Sequence, residues 1–302
     1  MPNTVPEEGW LVVEVSDGRV RTHRRGDVLE VVLDRPHRRN ALSAALWDGL
    51  AAAIAAVRDQ AGLKAVTLRG EGGDFSVGGD LKALSSGTSH ATGSGRHVLD
   101  LLRREQAIIR DLVALPVLTI ALIDGAAAGG GLDLALACDI RVATPDAKLA
   151  ASFVRRGLVP DLGGLYLLRR TVGYPVAARL ALTGEVIDGR EAHRIGLVDA
   201  LGGDVSSVAR PFLDAVAEST PYALGRCKDA LVRQDVVAGI AQANEMAATQ
   251  AVLLQEPEFQ EALKTFLARR SGAAASSTMP EPAAPVTGSA DRARRGGSPP
   301  TR

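Results

Sequence analysis

Aromatic side chains are scarce in this sequence: Phe, Tyr and Trp make up 3% of its 302 residues, while hydrophobic residues as a class reach 46%. The interior must therefore be built from Ala, Val and Leu, and there is enough of it for a globular protein. Net charge is lacking as well, with 35 Lys and Arg against 35 Asp and Glu. No basic field is present to hold nucleic acid. Cysteine is nearly absent, and Cys138 and Cys227 offer neither metal-ligand spacing nor a disulfide framework. Cys138, set among Ala and Leu, reads as a small core residue. Long apolar runs are missing too. The longest uncharged one, residues 112–123, has 12 residues and includes Pro116, too short to cross a bilayer. Residues 1–8 lack a basic start and an apolar segment, so no secretory signal is expected. No internal repeat of fixed period is visible. These absences point to a soluble cytoplasmic protein with one large domain or two small ones.

What is present alternates. Residues 11–15 and 20–22 read as strands around an Asp17-Gly18 turn, and 27–33 as a further strand. Leu46, Leu50, Ile54 and Val57 then recur at helical spacing, with Ser43 placed to cap the start. A strand at 64–69, a helix at 98–113 and a strand at 117–123 continue the pattern, which gives an α/β class. A short strand is expected at 140–143, leading to residues 148–153, and helices at 162–172 and 176–182. From residue 205 the chain reads as wholly helical, over 205–217, 223–232, 236–254 and 258–269, so a separate subdomain is expected there. Residues 83–96 have loop composition, read either as a cover over a ligand or as a surface insertion, with His90 a ligand contact or a solvated side chain. Residues 271–302 are rich in Ala, Ser, Gly, Pro and Arg and cannot bury enough apolar surface to offset ordering, so a disordered tail is expected.

The stretch that organises the chain is residues 123–139. Gly129, Gly130 and Gly131 follow a buried strand and open an Ala/Leu-rich helix. Three glycines there are costly in backbone entropy, but they expose N–H groups at the positive end of a helix dipole. The spacing fits neither a dinucleotide fingerprint, since Leu134 stands where the third glycine belongs, nor a phosphate loop ending in Gly-Lys-Ser/Thr. A developing oxyanion on a carbonyl remains, and such a hole takes two converging donors. A second glycine turn, Asp74-Phe75-Ser76-Val77-Gly78-Gly79-Asp80-Leu81-Lys82, lies directly after the 64–69 strand.

These stretches resemble the crotonase (enoyl-CoA hydratase/isomerase) superfamily. The matching motifs are Leu33-Asp34-Arg35-Pro36-His37-Arg38-Arg39-Asn40-Ala41-Leu42-Ser43, Phe75 to Lys82, Gly125 to Asp139, Gly157-Leu158-Val159-Pro160-Asp161, Ala181-Leu182-Thr183-Gly184-Glu185 and Ala192-His193-Arg194-Ile195-Gly196-Leu197-Val198. Six motifs in order span roughly residues 20 to 270. The resemblance implies a ββα spiral core over 20–204 after an N-terminal extension (1–19), and a C-terminal helical oligomerisation subdomain over 205–270. It also implies a homotrimer or a dimer of trimers, an acyl-CoA thioester as substrate, and no cofactor beyond the coenzyme A that the substrate carries.

By motif match the oxyanion donors would be the amides of Gly79 and Gly130, each worth roughly 3 kcal/mol. Gly79, Asp80, Leu81 and Lys82 would contact the CoA. Lys82, Arg38 and Arg39 are available for its phosphates or adenine rim, although for the arginines an ordinary exposed turn reads equally well. Of the two glutamates with which hydratases split water, the first matches Asp133 and the second matches Phe153, which can do no acid–base work. Asp161 is an added carboxyl. It reads as an acid–base group beside an apolar Phe153, or as an N-cap for the helix at 162. Asp133 reads as catalytic or as an acid favoured by the helix dipole. Asp139, His193 and His37 read as structural or surface groups. Double-bond isomerisation with Asp161 as proton shuttle is the expected reaction; hydration by Asp133 and Asp161, or a non-catalytic acyl-CoA binder, are the alternatives.

Overall fold

The computed structural model describes residues 10–15, 18–87 and 93–275. The central strands of its large sheet are runs of aliphatic residues, as parallel strands covered on both faces require. β3 (Val28–Asp34), β4 (Ala65–Gly70), β5 (Leu118–Ile123), β7 (Ile140–Ala143) and β10 (Ala200–Leu201) pair in parallel in that order. On the β3 side, β1 (Trp10–Val15) and β2 (Gly18–Arg25) add an antiparallel pair. β2 alternates buried Val20 and Thr22 with Arg19 and Arg21, which pair with Asp34 and Glu71. The core sheet thus begins at residue 10, and a boundary at residue 20 would cut through β2.

A small second sheet is formed by β6 (Ala126–Ala128), β8 (Lys148–Ala150) and β9 (Ile187–Asp188). The chain places a strand in the large sheet, then one in the small sheet, then a helix: β5, β6 and α4 (Gly130–Leu136), then β7, β8 and α5 (Gly164–Thr183). This is the expected ββα spiral. β6, built of three alanines, is a strand because it finds β8 in parallel.

α1 (Ala44–Asp59) is capped by Ser43, whose Oγ accepts from the Leu46 amide, and it buries Leu46, Leu50, Ile54 and Val57. α3 (Gly95–Val113), capped by Ser94, buries the stripe Val98, Leu102, Glu105, Ile109 and Leu112. α5 breaks at Gly173, where φ is 73° and ψ 166°, just before Pro175, so two helical pieces meet there as expected. α6 (Gly189–Arg194) follows, and His193 Nδ1 lies 3.0 Å from the Val198 carbonyl, a structural contact. α7 (Val205–Ala217) covers the sheet face formed by Ile120, Leu122 and Val142.

Two expectations need correction. The helices expected at 223–232 and 236–254 are one, α8 (Pro221–Leu253), because residues 233–235 contain no Gly or Pro to stop it. The stretch 83–96 is not all loop: α2 (Leu81–Ser85) occupies its start, and α3 begins at Gly95. His90 lies outside the described residues. α9 (Pro257–Ala275) runs five residues into the expected tail, and 276–302 lie outside the described residues. The C-terminal helices also pack closely on the core. Lys228 of α8 pairs with Asp139 at 2.7 Å, and Phe259 and Leu263 of α9 join a cluster with Phe153 and Leu158. Among the described residues no helix is long and apolar enough to cross a membrane.

Candidate active site

Two glycine loops meet at closest approach. A Cβ on Gly78, whose φ is +81°, would stand 2.6 Å from the Ala128 carbonyl oxygen and 2.8 Å from the Gly130 amide nitrogen. A Cβ on Gly131 would fall 2.2 Å from the Ser76 carbonyl oxygen. No other residue leaves room for this crossing. Backbone bonds fasten it: the Ser76 amide donates to Ala126, the Ala128 amide donates to Ser76, and the Leu42 amide donates to Gly78. The crossing places the amides of Gly79 and Gly130 beside one cavity of about 120 Å³. Among the described residues neither amide meets a protein acceptor. The Gly130 amide opens α4, at the positive end of its dipole.

Leu42, Trp47, Leu81, Leu84, Leu102, Phe153, Leu158, Leu162 and Leu254 make most of the cavity wall. Asp161 and Glu105 add carboxyl groups to it, and Arg156 a guanidinium. Asp161 is 6% exposed. Its pKa is raised to about 7, first by burial and then by the charge of Glu105. It does not cap α5, whose N-cap is Gly163, so the capping reading falls away. Gln106 holds the segment in place, its Nε2 donating to the carbonyls of Asp161 at 2.6 Å and Ala243 at 2.7 Å.

Asp133 is brought close to Asp161 but lies outside the cavity lining. It is 2% exposed and packs against Gly164, where a Cβ would collide with its Oδ1. Its Oδ2 has no hydrogen-bond partner among the described residues. Burial, and then the charge of Asp161, hold its pKa well above the carboxylate range. Its carboxyl therefore stands beside Asp161 and against the start of α5, and not among the groups that line the cavity.

The cations are also placed differently from expectation. Asp80 is gripped by Arg35 Nη2 at 2.8 Å and Arg38 Nη2 at 2.9 Å, and it caps α2 through the Ala83 amide. Burial pushes the Asp80 pKa up, but the Ala83 amide and the two arginines outweigh it and the net shift is downward. Arg39 is paired with Asp74, which also accepts from the Ala126 amide at the crossing. Arg38 and Asp80 are therefore engaged with each other, as a brace for the Gly79 loop. Lys82 is exposed on α2, His37 is exposed on the preceding turn, and Leu81 lines the cavity.

Sequence reasoning missed Glu105 and Arg35. For Glu105 a signal existed: it is the acid inside the apolar stripe of α3, three residues after Leu102 and four before Ile109. For Arg35, adjacency to Pro36 marked only a turn.

The model of the enoyl-CoA hydratase/isomerase family matches residues 23–273. The chain is similar to methylglutaconyl-CoA hydratase of Mus musculus, 33% identical over 79% of this chain and 78% of that protein. It is also similar to enoyl-CoA hydratase domain-containing protein 2 of Homo sapiens, 33% identical over 71% and 75% of the two chains. Among solved structures, an enoyl-CoA hydratase from Bacillus halodurans superposes with a TM-score of 0.74 at 29% identity, covering 82% of this chain and 99% of that one. An enoyl-CoA hydratase/isomerase from Xanthobacter autotrophicus Py2 gives 0.74 at 29% identity, covering 87% and 96%.

Proposed function

The chain belongs to the enoyl-CoA hydratase/isomerase family of enzymes, and from that premise we propose that it shifts the double bond of an enoyl-CoA thioester. The thioester oxygen accepts from the Gly79 and Gly130 amides, which lowers the cost of charge on it when a proton leaves the neighbouring carbon. Asp161 accepts that proton and returns it two carbons away. Burial places its pKa near neutrality, where a carboxyl can both take and give a proton. Lys82, exposed on α2, meets the CoA phosphates, with Gly79 and Leu81 along the pantetheine. Assembly as a homotrimer or a dimer of trimers belongs to the same reading.

The observation that carries isomerisation is the state of the two hydratase glutamate positions. Residue 153 is Phe, and Asp133 stands outside the cavity lining, which leaves Asp161 as the carboxyl that this part of the family motif contributes to the lining. A second reading, hydration, is favoured by Glu105: with Asp161 it makes two carboxyl groups in one cavity, the minimum for positioning and splitting a water.

A panel of 3-enoyl and 2-enoyl CoA thioesters, followed by conjugated thioester absorbance and by mass, decides between them. Isomerisation should outrun water addition. Asp161→Asn should abolish it with thioester binding little changed, since the amide keeps the shape but cannot accept a carbon-bound proton. Full activity in that variant, or wild-type hydration outpacing isomerisation, would overturn the mechanism.

A further inference from the structure

Three walls bring different chemistry to one cavity. Gly79 and Gly130 present amides, Asp161 comes from the segment before α5, and Glu105 comes from the buried face of α3. Both carboxyl groups are more than nine-tenths buried, at 6% and 8% exposure. They are also mechanically linked, because Gln106, the neighbour of Glu105, donates to the Asp161 carbonyl. The helix therefore fixes one acid and fastens the segment that carries the other.

Resting on the isomerase reading above, we propose that Glu105 is a second catalytic residue and that the double-bond shift is divided between two carboxyl groups. Asp161 takes a proton at the α-carbon, and Glu105 gives one at the γ-carbon. The assignment follows position. Leu162, next to Asp161, has its Cδ1 3.3 Å from where a Cβ on Gly130 would stand, so this segment borders the thioester end. Glu105 is one turn from Leu102, which packs in the apolar cluster with Leu158 and Leu254, and an apolar acyl chain would lie against that cluster.

The resting pair shares one proton, carried by Asp161 with Glu105 ionised, and the cycle opens when that proton passes to Glu105. The α C–H bond then breaks, its proton goes to the Asp161 carboxylate, and the electron pair moves onto the thioester oxygen between the two amides. The pair then returns to form a γ C–H bond with the Glu105 proton, leaving the 2-enoyl thioester. Asp161 again holds a proton and Glu105 is again ionised, so the starting state is restored with no net gain or loss. Two like charges in one buried space favour such a shared proton. The charged and polar groups that face the pair are consistent with it. Asp133, behind Asp161, has its pKa raised by burial and by the Asp161 charge. Arg156 is the cation in the lining, Asp80 is a third lining carboxyl paired with Arg35 and Arg38, and Ser152 and Gln250 are neutral.

The test is single-turnover conversion, with enzyme in excess, of a 3-enoyl-CoA deuterated at the α-carbon in ordinary water, by wild type, Glu105→Gln and Glu105→Asp, with steady-state turnover followed separately across pH. The wild-type product should carry little deuterium at the γ-carbon, and its pH profile should be a bell. In Glu105→Gln turnover should fall about a hundredfold, the loss of one general acid. Its residual product should carry γ-deuterium handed over by Asp161, and the alkaline limb should vanish. Glu105→Asp should recover part of the rate and the bell, and it stands in for the glutamine variant if that one does not fold. Transfer of the α-label to the γ-carbon by wild type, or a glutamine variant with wild-type rate and profile, overturns the two-acid mechanism and leaves the Asp161 shuttle standing. A wild type with no double-bond shift at all overturns the function reading, and this inference with it.

Discussion

Gly130 supplies an amide and nothing else to the site, which makes it the residue whose replacement isolates the oxyanion interaction. Gly130→Pro removes that N–H at the first position of α4, where proline is tolerated. A Cβ there meets Leu162 Cδ1 at 3.3 Å and Leu42 Cδ1 at 3.5 Å, the far ends of two side chains, and the Gly78 Cα at 3.9 Å, an ordinary contact. Folding should survive and turnover should fall about a hundredfold, as for loss of one such donor. A folded variant with normal turnover would remove Gly130 from the mechanism. Asp161 carries a second expectation at this scale, in stability. Its folded pKa, about 7, lies above the usual Asp value in an unfolded chain. Between the two values the folded protein keeps a proton that the unfolded chain has released, so stability declines as pH rises through that window and levels off above it. Asp161→Asn carries no such penalty. It should be more stable than wild type at pH about 8, by on the order of a few kcal/mol, with the gain vanishing toward pH about 4. Urea unfolding at both ends of the range reads this out, and a pH-independent difference would mean that Asp161 ionises normally.

Among the elements, α2 and the glycine turn before it depend on one buried ionic cluster. Arg35, 2% exposed, and Asp80 face each other at 2.8 Å, with Arg38 on the second oxygen and the Ala83 amide capped by the same carboxylate. Removing the negative charge leaves Arg35 buried without its anion. Asp80→Asn should therefore lower stability by about 3 kcal/mol, the range for breaking one side of a buried pair. Turnover should drop too, since Gly79 is the adjacent residue. Denaturant midpoints within experimental error of wild type would show that Arg35 is satisfied by its backbone partner, the Ala41 carbonyl, alone. α8 is the other element with a double duty. One end is anchored by Lys228 on Asp139 and the Val117 carbonyl, and the other brings Gln250 and Leu254 to the cavity. A single uninterrupted helix is what lets those two contacts be linked.

For the whole molecule, the large sheet, the small sheet and the C-terminal helices close around one site, with α9 packed over Phe153 and Leu158. The described chain ends with α9, and the composition of residues 276–302 offers only Met279 and Val286 as large apolar side chains. Truncation after residue 275 should leave the melting temperature and the oligomer size unchanged. A drop in either, by calorimetry or light scattering, would show that the tail packs on the body.

What the sequence determined by itself was local. Strand runs, the Ser43 cap, the break at Gly173 and the glycine turns at 78–79 and 129–131 are set by backbone demands that neighbouring residues express directly. Asp161 was legible for the same reason, as an extra acid inside a recognisable motif. Tertiary structure decided the rest. Whether Asp133 faces the cavity depends on Gly164 arriving beside it from another element. Arg38 and Arg39 are engaged because their anions, Asp80 and Asp74, come from 42 and 35 residues away. Glu105 becomes a site residue only because α3 lies against the Asp161 segment. Charge and burial act through space, and a side chain's chemistry follows from what the fold sets opposite it.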